Sequence, residues 1–252
     1  MKRRTFLKNM VCLSVFLCMF WVNVSFAEKT SEPSNGCYFT PDFAEGPFYL
    51  KNAIFRQDIT EGMTGYDLFI KFTLVDSETC APYANVPVDI WMASPEGSYS
   101  GVDNSMAFSG GANNEGATFL RGTQISDENG VVSFQALFPG WYSISPSNIH
   151  FSARVTDNLS FTSQFFIEDA FALQVYTTVP PYNKRGEHPK KISWPIPKEL
   201  VVVPQKVGDT LFLNKVISIR KKDLDEICAY KDTSCQSSRP LQLLKDLRKI
   251  IF

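Results

Sequence analysis

Histidine is scarce in this chain, which limits the metal sites that it can form. The sequence has two histidines, His150 and His188, in 252 residues. His188 lies in a proline-rich loop, where we expect it at the surface, so His150 has no second histidine nearby. The six cysteines include no Cys-x-x-Cys pair, which argues against a cysteine-based metal site.

Long apolar segments are also scarce, and the one example lies at the N-terminus. Basic residues precede an apolar run over residues 10–21, and Ser25-Phe26-Ala27 follows as a small-x-small cleavage site. Residues 1–27 are therefore predicted to be a signal peptide that exports the protein to the periplasm or the exterior. Arg3-Arg4 resembles a twin-arginine signal, and an ordinary secretory signal also explains it. No second run approaches the ~20 apolar residues of a membrane span.

An excess of positive charge is missing as well. Removing the four basic residues of the signal peptide leaves 21 basic and 26 acidic residues, a net charge near −5. The chain has no basic patch and no basic run interleaved with aromatic residues, so we expect no binding to nucleic acid. The 225 residues that remain of 252 after the first 27 are compatible with one all-β domain.

Four cysteines remain after the signal peptide: Cys37, Cys80, Cys228 and Cys235. An even number of cysteines in an oxidising compartment predicts two disulfides. Three pairings are possible. Cys228 with Cys235 would close a short local loop, and this favours Cys37 with Cys80 as the second bond.

The rest of the chain is predicted to consist of an N-terminal arm, a β-rich domain and a C-terminal extension. The N-terminal arm, residues 28–66, is rich in proline, glycine and polar residues. Residues 221–252 carry apolar side chains at helical spacing, which predicts a short amphipathic C-terminal helix docked on the domain. Residues 67–220 contain short alternating segments typical of a β-sandwich or barrel. The predicted strands are 68–75, 86–92, 118–126, 131–137, 148–155, 161–167, 200–203 and 211–219.

Two loops stand out between these strands. Asn129-Gly130 joins segments 118–126 and 131–137, and because both positions tolerate positive φ, we predict a β-hairpin there. Residues 102–116 are rich in glycine, asparagine and serine, so they form a surface loop long enough to cover a site.

The strand at 148–155 carries the most informative side chains. Apolar and polar residues alternate along it, so Asn148 and His150 share one face while Ile149 and Phe151 share the other. Neutral imidazole is a common metal ligand, and a metal site is one interpretation of this face. A histidine on a wet sheet face is the other.

Several short sequence blocks occur in order between about residues 37 and 186. They are Thr40-Pro41, Gly46-Pro47-Phe48-Tyr49, Val88-Asp89-Ile90-Trp91, Gly97-Ser98-Tyr99-Ser100-Gly101, Phe119-Leu120-Arg121-Gly122-Thr123-Gln124, Asp127-Glu128-Asn129-Gly130 and Pro139-Gly140-Trp141-Tyr142. Together these blocks resemble the intradiol ring-cleavage dioxygenase family, in particular its secreted single-domain branch. The resemblance implies a β-sandwich core and a mononuclear non-haem Fe(III), held by two tyrosinates and two histidines. It also implies O2-dependent cleavage of catechols between their two hydroxyls.

The resemblance also implies roles for individual residues. Tyr99 matches the first tyrosinate and His150 the last histidine. Tyr142 matches the second tyrosinate, which in the family leaves the iron when substrate binds and takes a substrate proton. Gln164 matches a glutamine that contacts bound ligand, or it is an exposed strand residue. Arg121 matches a family arginine, to which we assign a structural role.

Two positions depart from the family pattern. Asn148 stands where the family has its other histidine, and Ser145 stands where it has an arginine that stabilises charge on the oxidised ring. An amide oxygen can bind a hard cation but is a weaker donor than imidazole, and serine supplies no positive charge. Two hypotheses follow: an exported dioxygenase whose metal ligands are Tyr99, Tyr142, His150 and Asn148, or an inactive secreted binding module with iron weakly bound or absent.

The expected partner under either hypothesis is a small aromatic diol, and a homodimer is one candidate for the oligomeric state. A third alternative is a purely structural or surface-interaction role. A long exposed apolar patch would favour it.

Overall fold

A computed structural model describes residues 37–51, 54–105, 112–142, 145–156, 159–188 and 195–220. The predicted signal peptide, the Cys228–Cys235 pair and the C-terminal helix lie outside the described residues. In the part of the chain that is described, no helix is long and apolar enough to cross a membrane.

Two β-sheets form the domain, and the predicted all-β sandwich is confirmed. One sheet has four strands in the order β4-β1-β9-β8, and the other has five in the order β3-β2-β5-β6-β7. The strands are β1 (Asp67–Asp76), β2 (Pro87–Trp91), β3 (Arg121–Ile125), β4 (Val131–Leu137), β5 (Asn148–Thr156), β6 (Leu159–Ile167), β7 (Val201–Val202), β8 (Gln205–Val207) and β9 (Thr210–Ile219). Strand β1 pairs antiparallel with β4 and parallel with β9, so it lies in the middle of its sheet.

The core lies between the two sheets. Alternate residues of β1, including Leu68, Ile70 and Phe72, are almost completely buried. The ring of Phe72 lies 5.5 Å from the ring of Phe151 in β5 and 5.5 Å from that of Phe165 in β6. Each such side chain contributes roughly 1.5–3 kcal/mol when it leaves water, so the alternation seen in the sequence decides which face of each strand packs inward.

The predicted hairpin between β3 and β4 is wrong. The turn at Asp127–Gly130 does form, since the Gly130 N–H donates to the Asp127 carbonyl at 2.9 Å and Gly130 has φ 75°. However, β3 pairs with β2 in one sheet, while β4 pairs with β1 in the other. The turn therefore carries the chain from one sheet to the other.

One α-helix, which we did not predict, follows β6. Helix α1 spans Asp169–Thr178, and the Glu168 carboxylate caps it by accepting the Phe171 N–H at 2.9 Å. Its buried residues, Ala172, Val175 and Tyr176, recur at helical spacing. Two short 3-10 turns, Tyr182–Lys184 and Lys198–Leu200, lie between α1 and β7.

The described part of the N-terminal arm crosses the sandwich without a regular helix or strand over residues 37–51. The predicted Cys37–Cys80 disulfide is present and ties the start of this segment to the turn after β1. Thr40 adds two hydrogen bonds to Ser218 of β9, at 3.0 and 2.9 Å. These contacts hold the arm in place before it reaches the outer face of the five-stranded sheet.

Candidate metal centre

The outer face of the five-stranded sheet carries a row of polar and aromatic side chains. Trp91 of β2 lies opposite His150 of β5, and His150 lies opposite Gln164 of β6. The predicted alternation of β5 holds, because Ile149 and Phe151 belong to the core and Asn148 and His150 lie on the other face. That face is buried and not open to solvent, since Asn148 is 5% exposed and His150 is 4% exposed.

The N-terminal arm covers this face. Phe48 stacks on Tyr99 with ring centroids 4.5 Å apart. The side-chain amide of Gln164 donates to the Ala44 carbonyl at 2.5 Å. Gly46 lies against the imidazole, because a Cβ added there would stand 3.1 Å from Cε1 of His150. The arm therefore excludes water from the ring nitrogens of His150.

Tyr99 lies in the turn after β2, where Asn104 and Asn114 fix its backbone. The Tyr99 N–H donates to Oδ1 of Asn104 at 2.9 Å, and Nδ2 of Asn104 donates to the Tyr99 carbonyl at 2.7 Å. Nδ2 of Asn114 donates to the same carbonyl at 3.1 Å. The sequence does not single out either asparagine, although residues 102–116 are predicted to form a loop long enough to cover a site.

Three atoms that could bind a metal ion lie close together: the Tyr99 hydroxyl oxygen, Nε2 of His150 and Oδ1 of Asn148. The Tyr99 hydroxyl lies 3.2 Å from Nε2 of His150 and donates to Oδ1 of Asn148 at 3.4 Å. The amide of Asn148 is held in this orientation, since its Nδ2 donates to Oε1 of Gln164 at 2.7 Å and to Oγ of Ser145 at 3.3 Å. The structure thus brings together Tyr99, Asn148, His150 and Gln164, with Ser145 beside them.

Tyr142 joins this group through its ring. Its centroid lies 5.5 Å from that of Tyr99 and 4.9 Å from that of Phe48, edge-on in both cases. Tyr142 is half-buried, whereas Tyr99 is 1% exposed. His188, predicted at the surface, is half-buried with its ring 5.0 Å from that of Trp141.

Burial keeps the titratable side chains of this cluster neutral. Loss of water contact raises the pKa of the Tyr99 hydroxyl well above its ordinary value, with a further contribution from Tyr142. Burial likewise raises the pKa of Tyr142 to about 12. Burial, with the nearby charge of Arg121, lowers the pKa of His150 to about 3. At neutral pH a phenolate therefore forms here only if a cation stabilises it.

Arg121 has the structural role that we predicted for it and also brings positive charge close to the cluster. Its guanidinium donates to the carbonyl of Ser100 at 3.1 and 2.8 Å and to the Ser100 hydroxyl at 3.0 Å, so it holds the residue after Tyr99. It is 6% exposed, and burial lowers its pKa to about 10. The charge of Arg121 acts on both Tyr99 and His150.

The donor set fits a hard cation better than a soft one. Within the described ranges, no three His, Cys, Asp or Glu side chains come together to hold a metal, so a centre at this cluster must use phenol and amide oxygens. An ion with bonds of ~2.1 Å brings the donor atoms of two ligands about 3 Å apart, which agrees with the 3.2 and 3.4 Å spacings around Tyr99. Nδ1 of His150 is buried without a hydrogen-bond partner among the described residues, so none of these supplies the acceptor that usually orients a metal-bound imidazole.

Comparison with solved structures identifies the fold. An intradiol ring-cleavage dioxygenase from Tetranychus urticae is 27% identical, with a TM-score of 0.63 over 73% of this chain and 95% of that one. The dioxygenase domain of a dioxygenase–carbohydrate-binding fusion from Streptomyces sp. SirexAA-E gives a TM-score of 0.53 at 18% identity, over 73% of this chain and 99% of that one. A catechol 1,2-dioxygenase from Acinetobacter radioresistens gives a TM-score of 0.52 at 19% identity, over 72% of this chain and 62% of that one. No family model and no curated protein matches the chain in sequence.

The class of protein follows from these comparisons: the domain has the fold of the intradiol dioxygenases. The resemblance that the sequence motifs indicate is confirmed, and the chain is a structural relative of the intradiol ring-cleavage dioxygenases.

Proposed function

We propose that the protein is an exported intradiol dioxygenase that cleaves a catechol-type aromatic with O2 at a mononuclear Fe(III). Tyr99, Tyr142, His150 and the amide oxygen of Asn148 are its proposed ligands. The observation that carries this proposal is the convergence of Nε2 of His150 and Oδ1 of Asn148 on the Tyr99 hydroxyl, at 3.2 and 3.4 Å. When bound, Fe(III) would supply a Lewis acid that draws electron density from the diol, and the diol itself would supply the electrons that reduce O2.

The two tyrosines have different surroundings, which supports different roles. Tyr99 is fully enclosed and fixed through its backbone, so it suits a permanent oxygen ligand. Tyr142 is half-buried, and burial raises its pKa to about 12. If the ion holds Tyr142 as a phenolate and then releases it, that phenolate can take a proton from a diol hydroxyl.

Gln164 supports the site by orientation in this proposal. Its Oε1 accepts from Asn148 and its Nε2 donates to the Ala44 carbonyl, so both ends of the amide are engaged. The glutamine turns the oxygen of Asn148 toward Tyr99, and the N-terminal arm holds the glutamine. A substrate contact by Gln164 would require it to leave one of these partners.

The alternative function is a secreted module that binds a diol or a metal without turnover. The substitution at Ser145 favours it, because this serine lies beside Asn148 and brings no positive charge. The lack of an acceptor for Nδ1 of His150 within the described part of the chain also favours it, since metal-bound imidazoles usually have one. Both observations predict weak iron binding or slow turnover.

The test combines iron content with product formation. Protein loaded with Fe(III) is supplied with catechol, and O2 uptake and the ultraviolet signal of muconate are followed. The dioxygenase proposal predicts iron and product from wild type, and neither from Tyr99→Phe. The matched control is Tyr83→Phe, which removes a half-buried hydroxyl bonded to Asp76 elsewhere in the fold. Iron without product would support the binding module, and no iron at all would overturn the proposed centre.

Export is proposed on the sequence of residues 1–27. The expected observation is a mature chain that begins after Ala27 when the full-length gene is expressed in a secreting host.

A further inference from the structure

The two turns that carry Tyr99 and Tyr142 lie directly against each other. The Gly140 N–H donates to the Ser94 carbonyl at 3.1 Å. A Cβ at Gly140 would stand 2.4 Å from the Ser94 carbonyl oxygen and 2.5 Å from that of Pro95, so only glycine permits this approach. The distance between the two tyrosines therefore depends on how these turns are held together.

One side chain from a third segment contacts both turns. Nη1 of Arg185 donates to the carbonyl of Glu96 at 2.5 Å and to that of Trp141 at 2.8 Å. Glu96 lies three residues before Tyr99, and Trp141 lies directly before Tyr142. A single nitrogen thus joins the backbones of the two tyrosine-bearing turns.

Packing around the guanidinium makes this bridge specific for arginine. Its carbon lies 3.5 Å from the centroid of the Trp141 ring, a cation–π contact. Gly97 leaves room for it, since a Cβ there would stand 2.0 Å from Nη1 of Arg185. A planar guanidinium can stack and donate at once, whereas a lysine ammonium offers a point charge.

Arg185 is itself held by its own segment. Its N–H donates to the Tyr182 carbonyl at 3.0 Å, and the Tyr182 hydroxyl donates to the buried Phe138 carbonyl at 2.6 Å. The indole N–H of Trp141 donates to the carbonyl of Gly186, the residue after Arg185, at 3.0 Å. The bridge is therefore anchored at both ends.

We propose that Arg185 is a positioning residue that clamps the Tyr99 turn to the Tyr142 turn, so that both phenols face one centre. The role of the clamp in metal binding rests on the proposed function. The clamp itself needs no metal, because every contact that forms it lies within the protein.

The first test uses metal-free protein and amide hydrogen exchange measured by NMR. Arg185→Met keeps the aliphatic stem and removes the donors. Its expected effect is exchange about 10-fold faster or more at the amides of Gly97, Tyr99 and Gly140, with no change in β1 and β9. The matched control is Lys184→Met, the exposed neighbour, which should leave all of these amides unchanged. Unchanged exchange in the two turns, or an equal increase throughout both sheets, would overturn the clamp.

The second test uses Ga(III), a redox-inert trivalent ion, and the difference absorbance of tyrosinate on binding. Wild type and Lys184→Met should form two phenolates per ion. Arg185→Met should bind on the order of 10- to 100-fold more weakly and lose one phenolate, and Arg185→Lys should recover part of the affinity. Two phenolates at wild-type affinity in Arg185→Met would contradict the proposal.

The two tests separate the clamp from the proposed function. If wild type binds no Ga(III), the metal centre fails, while amide exchange still decides whether Arg185 joins the turns. If Arg185→Met does not fold, Arg185→Lys replaces it, because this change keeps the positive charge but cannot stack on Trp141 and donate to both carbonyls at once. It should speed exchange in the same two turns, and a wild-type pattern would overturn the proposal.

Discussion

Acid should destabilise the metal-free protein through His150. This imidazole is 4% exposed, and burial together with the charge of Arg121 lowers its pKa from 6.5 to about 3. In the unfolded chain the imidazole of His150 becomes protonated below about pH 6.5, whereas in the folded protein it stays neutral until about pH 3. The free energy of unfolding should therefore fall by about 1.4 kcal/mol for each pH unit of acidification between these two values. Above about pH 6.5, this histidine should not make the stability depend on pH.

The expected magnitude is large enough to measure by urea unfolding. Between about pH 7 and pH 4.5, His150 alone should lower the free energy of unfolding by about 2.5 kcal/mol. Chelator-treated wild type is compared with His150→Gln, which keeps an amide able to donate to Tyr99 but cannot titrate. The matched control is His188→Gln, which removes the other histidine.

The difference between wild type and His150→Gln isolates the histidine from other acid effects. Hydrogen bonds from Thr60 lower the pKa of Asp58, so its contribution is also lost in acid, but equally in both proteins. If wild type and His150→Gln lose stability in parallel, the imidazole is not held neutral by burial. The enclosed site described above would then be incorrect.

Three further changes test the site and the arm that covers it. Asn148→His together with Ser145→Arg should raise Fe(III) affinity by on the order of 10- to 100-fold and ring cleavage by on the order of 100-fold or more, each single change doing less, as iron content and muconate signal would show. Gly46→Ala and Gly62→Ala both place a side chain at positive φ and should each cost roughly 1 kcal/mol in urea unfolding. Only the first adds a Cβ against the site imidazole, so only the first should weaken metal binding in titrations. Cys37→Ser should lower the free energy of unfolding by roughly 2–4 kcal/mol, and equal stability of the reduced and oxidised wild type would contradict this.

Strand positions were predictable because alternation is a local signal. The inward residues of β1 and the shared face of Asn148 and His150 follow from a period of two. The link between β3 and β4 was not predictable in this way. Asn129-Gly130 specifies a tight turn, but whether the flanking strands pair depends on partners far along the chain, here β2 and β1.

The same distinction applies to the candidate site. The residues Tyr99, Tyr142 and His150 could be proposed from short motifs and spacing. Their supports could not, because Arg185 reaches carbonyls 89 and 44 residues away and Gln164 bonds the arm 120 residues away. Such contacts arise only when the sandwich is folded.

The visible absorption of protein loaded with one Fe(III) per chain tests the central claim most directly. If Tyr99 and Tyr142 bind the ion as phenolates, wild type should show a tyrosinate-to-iron charge-transfer band. Tyr99→Phe, which should not hold the ion, should lack the band, and Tyr83→Phe should leave it unchanged. Iron-loaded wild type without this band, or Tyr99→Phe with an unaltered one, would contradict a tyrosinate centre on the outer face of the five-stranded sheet.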